Sequence, residues 1–86
     1  MTTRLLENGK DLGLISGYER HGGEQRTTSA MKEPDWCDFI VPLACGMSLS
    51  KGIQHSLSFA NGTTVPIRVS RVTGGIDGAR VTAFVP

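Results

Sequence analysis

The chain has 86 residues, 38% of them hydrophobic, and a formal net charge of +1 at pH 7. These values predict one domain over residues 1–86 and exclude a nucleic-acid binder that works through bulk positive charge. No apolar run approaches the roughly 18 residues that a membrane span needs, and no signal peptide is visible after Met1, so a cytoplasmic protein without membrane contact is predicted.

The N-terminal segment predicts a β-hairpin. Asn8-Gly9 is a preferred pair for the two central positions of a tight turn, because both residues tolerate a positive φ. That register sets Glu7 opposite Lys10 and Leu5 opposite Leu12, and each such pair contributes roughly 0.2–1 kcal/mol. A short helix that ends at the same turn is the alternative, and it would be marginal by itself.

Residues 17–36 show neither the helical nor the strand period, which predicts a long loop or irregular segment. Within it, Arg20, His21 and Arg26 flank Gly22-Gly23. Glycine frees backbone N–H groups to approach an anion, and arginine binds phosphate with two parallel hydrogen bonds. These residues predict an anion or nucleotide site as an alternative function, whereas a solvated loop with ordinary surface charge is the simpler interpretation.

The continuous apolar run Phe39–Cys45 fits either a buried strand or a helical segment. Pro42 lies in its middle and lacks a backbone donor, which favours an edge position, a bulge or a bend. Cys37 precedes the run and Cys45 ends it. Both are predicted to be free thiols in or near the core, because disulfides are rare in the cytosol.

The last third of the chain, from His55 to Pro86, predicts three antiparallel strands joined by two glycine turns. Apolar and polar residues alternate along each run, which places one face in a core and the other in water. Asn61-Gly62 and Asp77-Gly78 supply the positive φ that tight turns need. The residues predicted to face the core are Val65, Ile67, Val69, Val81, Ala83 and Val85.

Together these segments predict an all-β fold. The predicted architecture is a small antiparallel barrel or barrel-like sandwich of five to seven short strands, with an N-terminal hairpin and a C-terminal meander. A ladder of short strands buries its apolar face best by curling in this way.

The outer face of the last hairpin is the predicted partner-binding surface. If Ser70 pairs with Thr82, Arg68 lies opposite Phe84, and an arginine beside an exposed aromatic ring is able to stack on a partner. The alternative is that Phe84 packs against the N-terminal hairpin or a helix. The predicted partner-binding residues are Arg68, Arg71, Arg80 and Phe84.

A metal-binding protein or a cysteine-dependent enzyme is the third functional hypothesis, after the binding module and the nucleotide module. The chain has the composition of a tetrahedral zinc site in His21, Cys37, Cys45 and His55, but none of these are spaced as a close ligand pair. His55 is better explained as a core or rim histidine. Asp38 follows Cys37 and disfavours its thiolate, and no serine lies in a Gly-x-Ser-x-Gly turn. We therefore predict no metal, no cofactor and no enzymatic activity.

The stretch from Gly46 to Val85 resembles the second half of a PilZ domain, a bacterial six-stranded barrel that binds cyclic di-GMP. The similar pieces are Gly46-Met47-Ser48-Leu49, Ile53 to Phe59, Ile67 to Val72 and Gly78 to Phe84. Where the family's Asp-x-Ser-x-x-Gly motif would place Asp and Ser, this chain has Val41 and Leu43. The resemblance therefore implies a barrel with a degenerate nucleotide site.

The predicted function is a non-enzymatic binding or adaptor module that engages a protein partner through a sheet edge or an exposed sheet face. Small β domains also associate through their edges, so a homo-oligomer is compatible with this prediction. The alternative is the nucleotide- or nucleic-acid-binding module that uses Arg20, His21 and Arg26.

Overall fold

The computed structural model describes residues 3–22 and 34–85. In chain order these residues form β1 (Thr3–Glu7), β2 (Lys10–His21), β3 (Asp35–Val41), α1 (Leu43–Met47), β4 (Gln54–Ser58), β5 (Thr64–Gly75) and β6 (Gly78–Val85). All strand pairs are antiparallel, and the sheet closes into a barrel in the order β1-β2-β3-β6-β5-β4. The predicted all-β class and small antiparallel barrel are confirmed. Within the described ranges, no helix has the length and apolarity to cross a membrane.

The barrel interior is filled with apolar side chains. Side chains without exposed surface come from β1, β3, β4, β5 and β6 and include Leu5, Phe39, Leu57, Ile67 and Val81. Strand β2 adds half-buried side chains, namely Leu12, Ile15 and Tyr18. The predicted inward alternation of the C-terminal strands is confirmed, except that Val65 is only half-buried.

The first hairpin turns at Asn8-Gly9, as predicted. Both residues have a positive φ, 51° for Asn8 and 81° for Gly9. Glu7 pairs with Lys10, which confirms the predicted register at the turn.

Further from this turn, the predicted pairing of Leu5 with Leu12 is wrong. A bulge between Leu5 and Leu6 sets Leu5 opposite Gly13 instead. The Gly13 backbone N–H donates a hydrogen bond to the Asp11 carboxylate at 2.9 Å, which holds the bulged segment in place. A bulge adds one residue to one strand and so exchanges the inward and outward positions beyond it.

The predicted loop over residues 17–36 is wrong at both ends. β2 continues to residue 21 and β3 begins at residue 35, whereas residues 23–33 lie outside the described part of the chain. The β2–β3 pairing is irregular after Ser16, where Gly17 has a φ of 64°. This irregularity interrupts the alternation of inward and outward side chains, which explains why the sequence shows no strand period here.

The apolar run Phe39–Cys45 is part strand and part helix. β3 ends at Val41, and α1 begins two residues later, after Pro42. A proline is tolerated there because the first residues of a helix need no N–H donor. The Pro42 carbonyl accepts the helical hydrogen bond from the Gly46 N–H at 3.0 Å. Of the three alternatives predicted at Pro42, an edge position, a bulge or a bend, the structure has the bend.

The predicted pairing of Ser70 with Thr82 in the last hairpin is wrong. A bulge after Val69 sets Arg71 opposite Thr82. Ser70 and Arg71 are both exposed, while Val72 is half-buried and packs against the core. The bulge therefore keeps the valine inside and places the arginine outside.

Closure of the sheet removes the edge that a partner strand would need. Each described strand pairs with a neighbour on both sides. A closed barrel presents no free edge. The predicted use of a sheet edge by a partner or a second copy therefore does not fit the described part of the chain.

Candidate functional site

The four residues predicted to bind a partner lie on one side of the barrel. Arg68 on β5 lies directly opposite Phe84 on β6, as predicted. Arg71 and Arg80 are exposed on the same two strands, closer to the β5–β6 turn. The strand register therefore brings all four side chains onto one outer surface.

Strand β3 widens this surface to three strands. Trp36 lies opposite Phe84. Asp38, the next outward position of β3, lies opposite Thr82. We call the outer side chains of β3, β6 and β5 the three-strand face. Its residues are Trp36, Asp38, Ile40, Arg68, Arg71, Thr73, Arg80, Thr82 and Phe84.

Two shallow grooves cross the three-strand face and share Arg71, Arg80 and Thr82. The first has a volume of about 550 Å³ and includes the aromatic pair Trp36 and Phe84 in its wall. The second has a volume of about 370 Å³ and extends to the glycine-rich β5–β6 turn. Together they form an open, elongated depression rather than an enclosed pocket.

Phe84 is well exposed for a large aromatic side chain, with 43% of its surface accessible. Its cross-strand neighbours are Trp36 and Arg68. The alternative prediction, that Phe84 packs against the N-terminal hairpin or a helix, is therefore wrong. Aromatic and arginine side chains are enriched at protein interfaces, and this row combines both.

The three-strand face carries more positive than negative charge. Arg80 Nη1 lies 3.8 Å from Asp38 Oδ1, a long contact for a largely exposed guanidinium. Arg68 and Arg71 have no ion pair within the residues that the structure describes. Because an exposed ion pair contributes at most about 1 kcal/mol, the Arg80 contact leaves that guanidinium available to a stronger acidic partner.

Strand β2 places a histidine and a carboxylate beside the three-strand face. His21 lies opposite Trp36, and the two rings stack with their centroids 4.0 Å apart and an interplanar angle of 22°. His21 Nε2 lies 3.3 Å from Asp38 Oδ2 and 3.8 Å from Glu19 Oε2. One histidine nitrogen and two carboxylates therefore converge at the border of the face.

The residues predicted to bind an anion do not form one cradle in the described ranges. Arg20 and His21 are adjacent on β2, so their side chains point to opposite sides of the strand. Arg20 Nη2 donates a hydrogen bond to Asp35 Oδ2 at 2.9 Å, and this bond raises the pKa of Arg20. Gly22 is exposed just after β2, whereas Gly23 and Arg26 lie outside the described residues.

The tetrad His21, Cys37, Cys45 and His55 does not converge. Cys37 and His55 are buried in the barrel, whereas His21 lies on its outside. Burial raises the pKa of the Cys37 thiol to about 11, and the charge of Asp38 adds to this effect. Burial also raises the pKa of Cys45. Both cysteines are free, as predicted, and both are protonated near neutral pH.

His55 is a core histidine with one satisfied ring nitrogen. Nδ1 lies 3.1 Å from the Ile53 carbonyl oxygen and donates its hydrogen there. Nε2 is buried without a hydrogen bond from the described residues, and a Glu7 carboxylate oxygen lies 3.7 Å away. The residue is only 2% exposed, so its side chain packs the core rather than meeting an external ligand.

Sequence patterns do not reveal the roles of Trp36, Asp38 and Glu19. The available signal is the alternation of Trp36 and Asp38 with the buried residues Cys37 and Phe39. That signal identifies an outer face of β3, but it does not say which strand lies beside it. No family model, curated protein or solved structure matches this chain.

Proposed function

We propose that this chain is a non-enzymatic binding module whose three-strand face docks an acidic segment of a protein partner. The observation that carries the proposal is the 43% exposure of Phe84 within a row that also contains Trp36 and Arg68. An aromatic anchor beside guanidinium groups has the composition of an interface hot spot, where Trp, Tyr and Arg are the enriched residues.

The shape of the face favours an extended peptide. The two grooves, of about 550 and 370 Å³, are continuous through Arg71, Arg80 and Thr82. Small-molecule sites are typically concave and cover most of their ligand, whereas this depression is open along its length. A peptide would lie along the depression with an apolar side chain at Phe84.

Charge complementarity favours an acidic partner. Arg68 and Arg71 form no ion pair in the described ranges, and Arg80 makes only the 3.8 Å contact with Asp38. Guanidinium groups bind carboxylates with two parallel hydrogen bonds. Acidic residues on either side of the apolar anchor would therefore find partners along β5 and β6.

The state of the thiols supports a non-enzymatic role. A cysteine nucleophile needs a lowered pKa, whereas burial raises the pKa of both Cys37 and Cys45. The nucleotide alternative has less support, because Arg20 is engaged by Asp35 at 2.9 Å. The closed barrel also favours binding by a face over association through an edge.

The test is capture of partners from the native host with the wild-type chain and with two surface variants, Phe84→Ser and Arg71→Glu. Both variants should keep the wild-type melting temperature and lose the captured protein. The captured protein should contain an acidic segment, and a synthetic peptide of that segment should bind the wild type at least about tenfold more tightly than either variant.

Matched controls come from other parts of the barrel. Leu14→Ser removes an apolar side chain with 47% exposure from β2, and Lys51→Glu reverses an exposed charge before β4. Both controls should retain capture. Unchanged capture by Phe84→Ser, or equal loss in the controls, would reject the proposal.

Two further measurements test whether a nucleotide or a second copy of the chain, rather than an acidic peptide, binds the three-strand face. A nucleotide ligand would raise the melting temperature in proportion to RT ln(1 + [L]/Kd), so a panel of mono-, di- and cyclic nucleotides tests that alternative. A second copy of the chain as the occupant would appear in sedimentation as a dimer that dissociates on Phe84→Ser. Either result would replace the acidic peptide as the ligand of this face.

A further inference from the structure

We infer that Glu19, His21 and Asp38 form a binding site for a divalent transition metal ion at the border of the three-strand face. His21 Nε2 and one carboxylate oxygen from each acidic residue lie within 4.8 Å of one another. Zn²⁺ binds imidazole nitrogen and carboxylate oxygen at about 2.0–2.2 Å, so three donors around one ion lie about 3–4 Å apart. The observed 3.3 and 3.8 Å separations from His21 Nε2 match this spacing.

Strand pairing builds the site from two neighbouring strands. Glu19 on β2 lies directly opposite Asp38 on β3, and His21 is the next outward position of β2. Side chains two residues apart on one strand project to the same face. The three donors therefore converge because of the register, although Asp38 is 17 residues from His21 in the chain.

The surroundings hold two of the three ligands. The Trp36 indole stacks on the His21 ring at a centroid distance of 4.0 Å and restrains its orientation. Asp38 has 13% exposure and its Oδ1 faces Arg80 at 3.8 Å, so Oδ2 is the oxygen directed at the histidine. Glu19 is 71% exposed and is free to adjust to an ion.

The donor set selects the class of metal. Imidazole suits Zn²⁺, Cu²⁺, Ni²⁺ and Co²⁺, whereas Mg²⁺ and Ca²⁺ prefer oxygen ligands alone. Three protein ligands leave at least one coordination position open to water or to a side chain of a partner. The same three groups without a metal would form an ordinary histidine–carboxylate contact, such as the 3.3 Å approach of His21 Nε2 to Asp38 Oδ2. The experiment must separate these two cases.

Trp36 is the only tryptophan in the chain and provides a direct readout. Paramagnetic Co²⁺ bound by His21 would lie against the stacked indole and quench its fluorescence. Titration of Co²⁺ into protein without a histidine tag should give saturable quenching that a chelator reverses. Diamagnetic Zn²⁺ should compete and restore the fluorescence, and should raise the melting temperature.

Variants assign the quenching to the proposed ligands. His21→Gln should abolish saturable quenching, and Glu19→Gln should weaken Co²⁺ binding by at least about tenfold, since even the loss of outer-shell groups costs about 10–100-fold. Asp77→Asn, an exposed acidic residue in the β5–β6 turn, should bind like the wild type.

Three results would overturn the inference. These are quenching that does not saturate, saturable quenching that survives both ligand variants, and a thiolate-to-cobalt charge-transfer band that assigns the ion to a cysteine. Glu19 is exposed, so Glu19→Gln tests the site even if a change at His21 disturbs the Trp36 stack. The tests of partner capture and of metal binding use different variants, Phe84→Ser for the first and His21→Gln for the second, so either proposal is able to fail without the other.

Discussion

At the scale of single residues, Cys37 shows how position in the barrel sets chemistry. Its side chain has no exposed surface, and its cross-strand neighbours are Arg20 on β2 and the buried Ala83 on β6. Burial, together with the nearby charge of Asp38, raises the pKa of this thiol from 9.0 to about 11. A thiol that ionises more readily in the unfolded chain than in the folded one makes stability depend on pH.

This difference predicts a loss of stability in alkaline solution. Below pH 9 the Cys37 thiol is protonated in both states, so its contribution is fully present. As the pH rises towards 11 the unfolded chain releases the proton first, and the free energy of unfolding falls. Urea unfolding at a series of pH values should show a steeper alkaline loss for the wild type than for Cys37→Ala. Parallel curves for the two proteins would contradict the prediction.

At the scale of elements, the docking of α1 depends on Gly46. The helix packs against β5 and β6, and a Cβ added at Gly46 would collide with the Cβ of Ala79 and press on Val41. Helix propensity alone favours alanine over glycine by about 1 kcal/mol. Packing and propensity therefore predict opposite signs for the same substitution.

We expect packing to decide the effect of Gly46→Ala. The variant should lower the free energy of unfolding by about 1–3 kcal/mol, as overpacked cores do. Gly22→Ala is the matched control, because nothing lies within 4 Å of a Cβ built there, and it should stay within about 0.5 kcal/mol of the wild type. Urea denaturation measures both, and a stabilised Gly46→Ala protein would show that α1 is free to shift away from Ala79.

The elements also show which features a sequence predicts. Turns such as Asn8-Gly9 depend on local chemistry, and uninterrupted alternation predicts the inward residues of β6, so both are predicted correctly. The bulge after Leu5 makes the predicted pairing of Leu5 with Leu12 wrong, and the bulge after Val69 does the same for Ser70 with Thr82. The irregularity after Ser16 interrupts the alternation by which a strand is recognised. Local patterns carry no signal for such an added residue.

The candidate site is predictable only in part for a related reason. Arg68 and Phe84 belong to one hairpin, and their pairing follows from a short turn together with the bulge after Val69. Trp36 reaches Phe84 only because β3 pairs with β6, across 48 positions of the chain. Such long-range pairing follows from closure of the whole barrel and not from any segment.

At the scale of the whole molecule, the seam between β1 and β4 is the shortest junction in the barrel. It consists of three residue pairs, from Arg4 opposite Ser58 to Leu6 opposite Ser56, whereas β3 and β6 share seven. Opening of a structure begins where few hydrogen bonds and contacts have to break. The barrel should therefore open first along this seam.

Native-state hydrogen exchange tests this expectation. Amides that bond across the β1–β4 seam should exchange with a lower opening free energy than amides between β3 and β6. Leu57→Ala at the centre of the seam should lower the free energy of unfolding by about 2–5 kcal/mol, because the side chain is fully buried. Uniform protection around the barrel would show instead that all junctions open together.

The filled interior has a consequence for ligand binding inside the barrel. Barrels that carry lipids or pigments are wide enough to leave a hollow centre, which takes about eight strands or more. Here six strands surround Leu5, Phe39, Leu57 and Ile67, none of which has accessible surface. The interior of the barrel is thus occupied by side chains and has no room for a ligand. Apolar dyes that become fluorescent inside hollow carrier proteins should therefore gain no fluorescence when mixed with this protein.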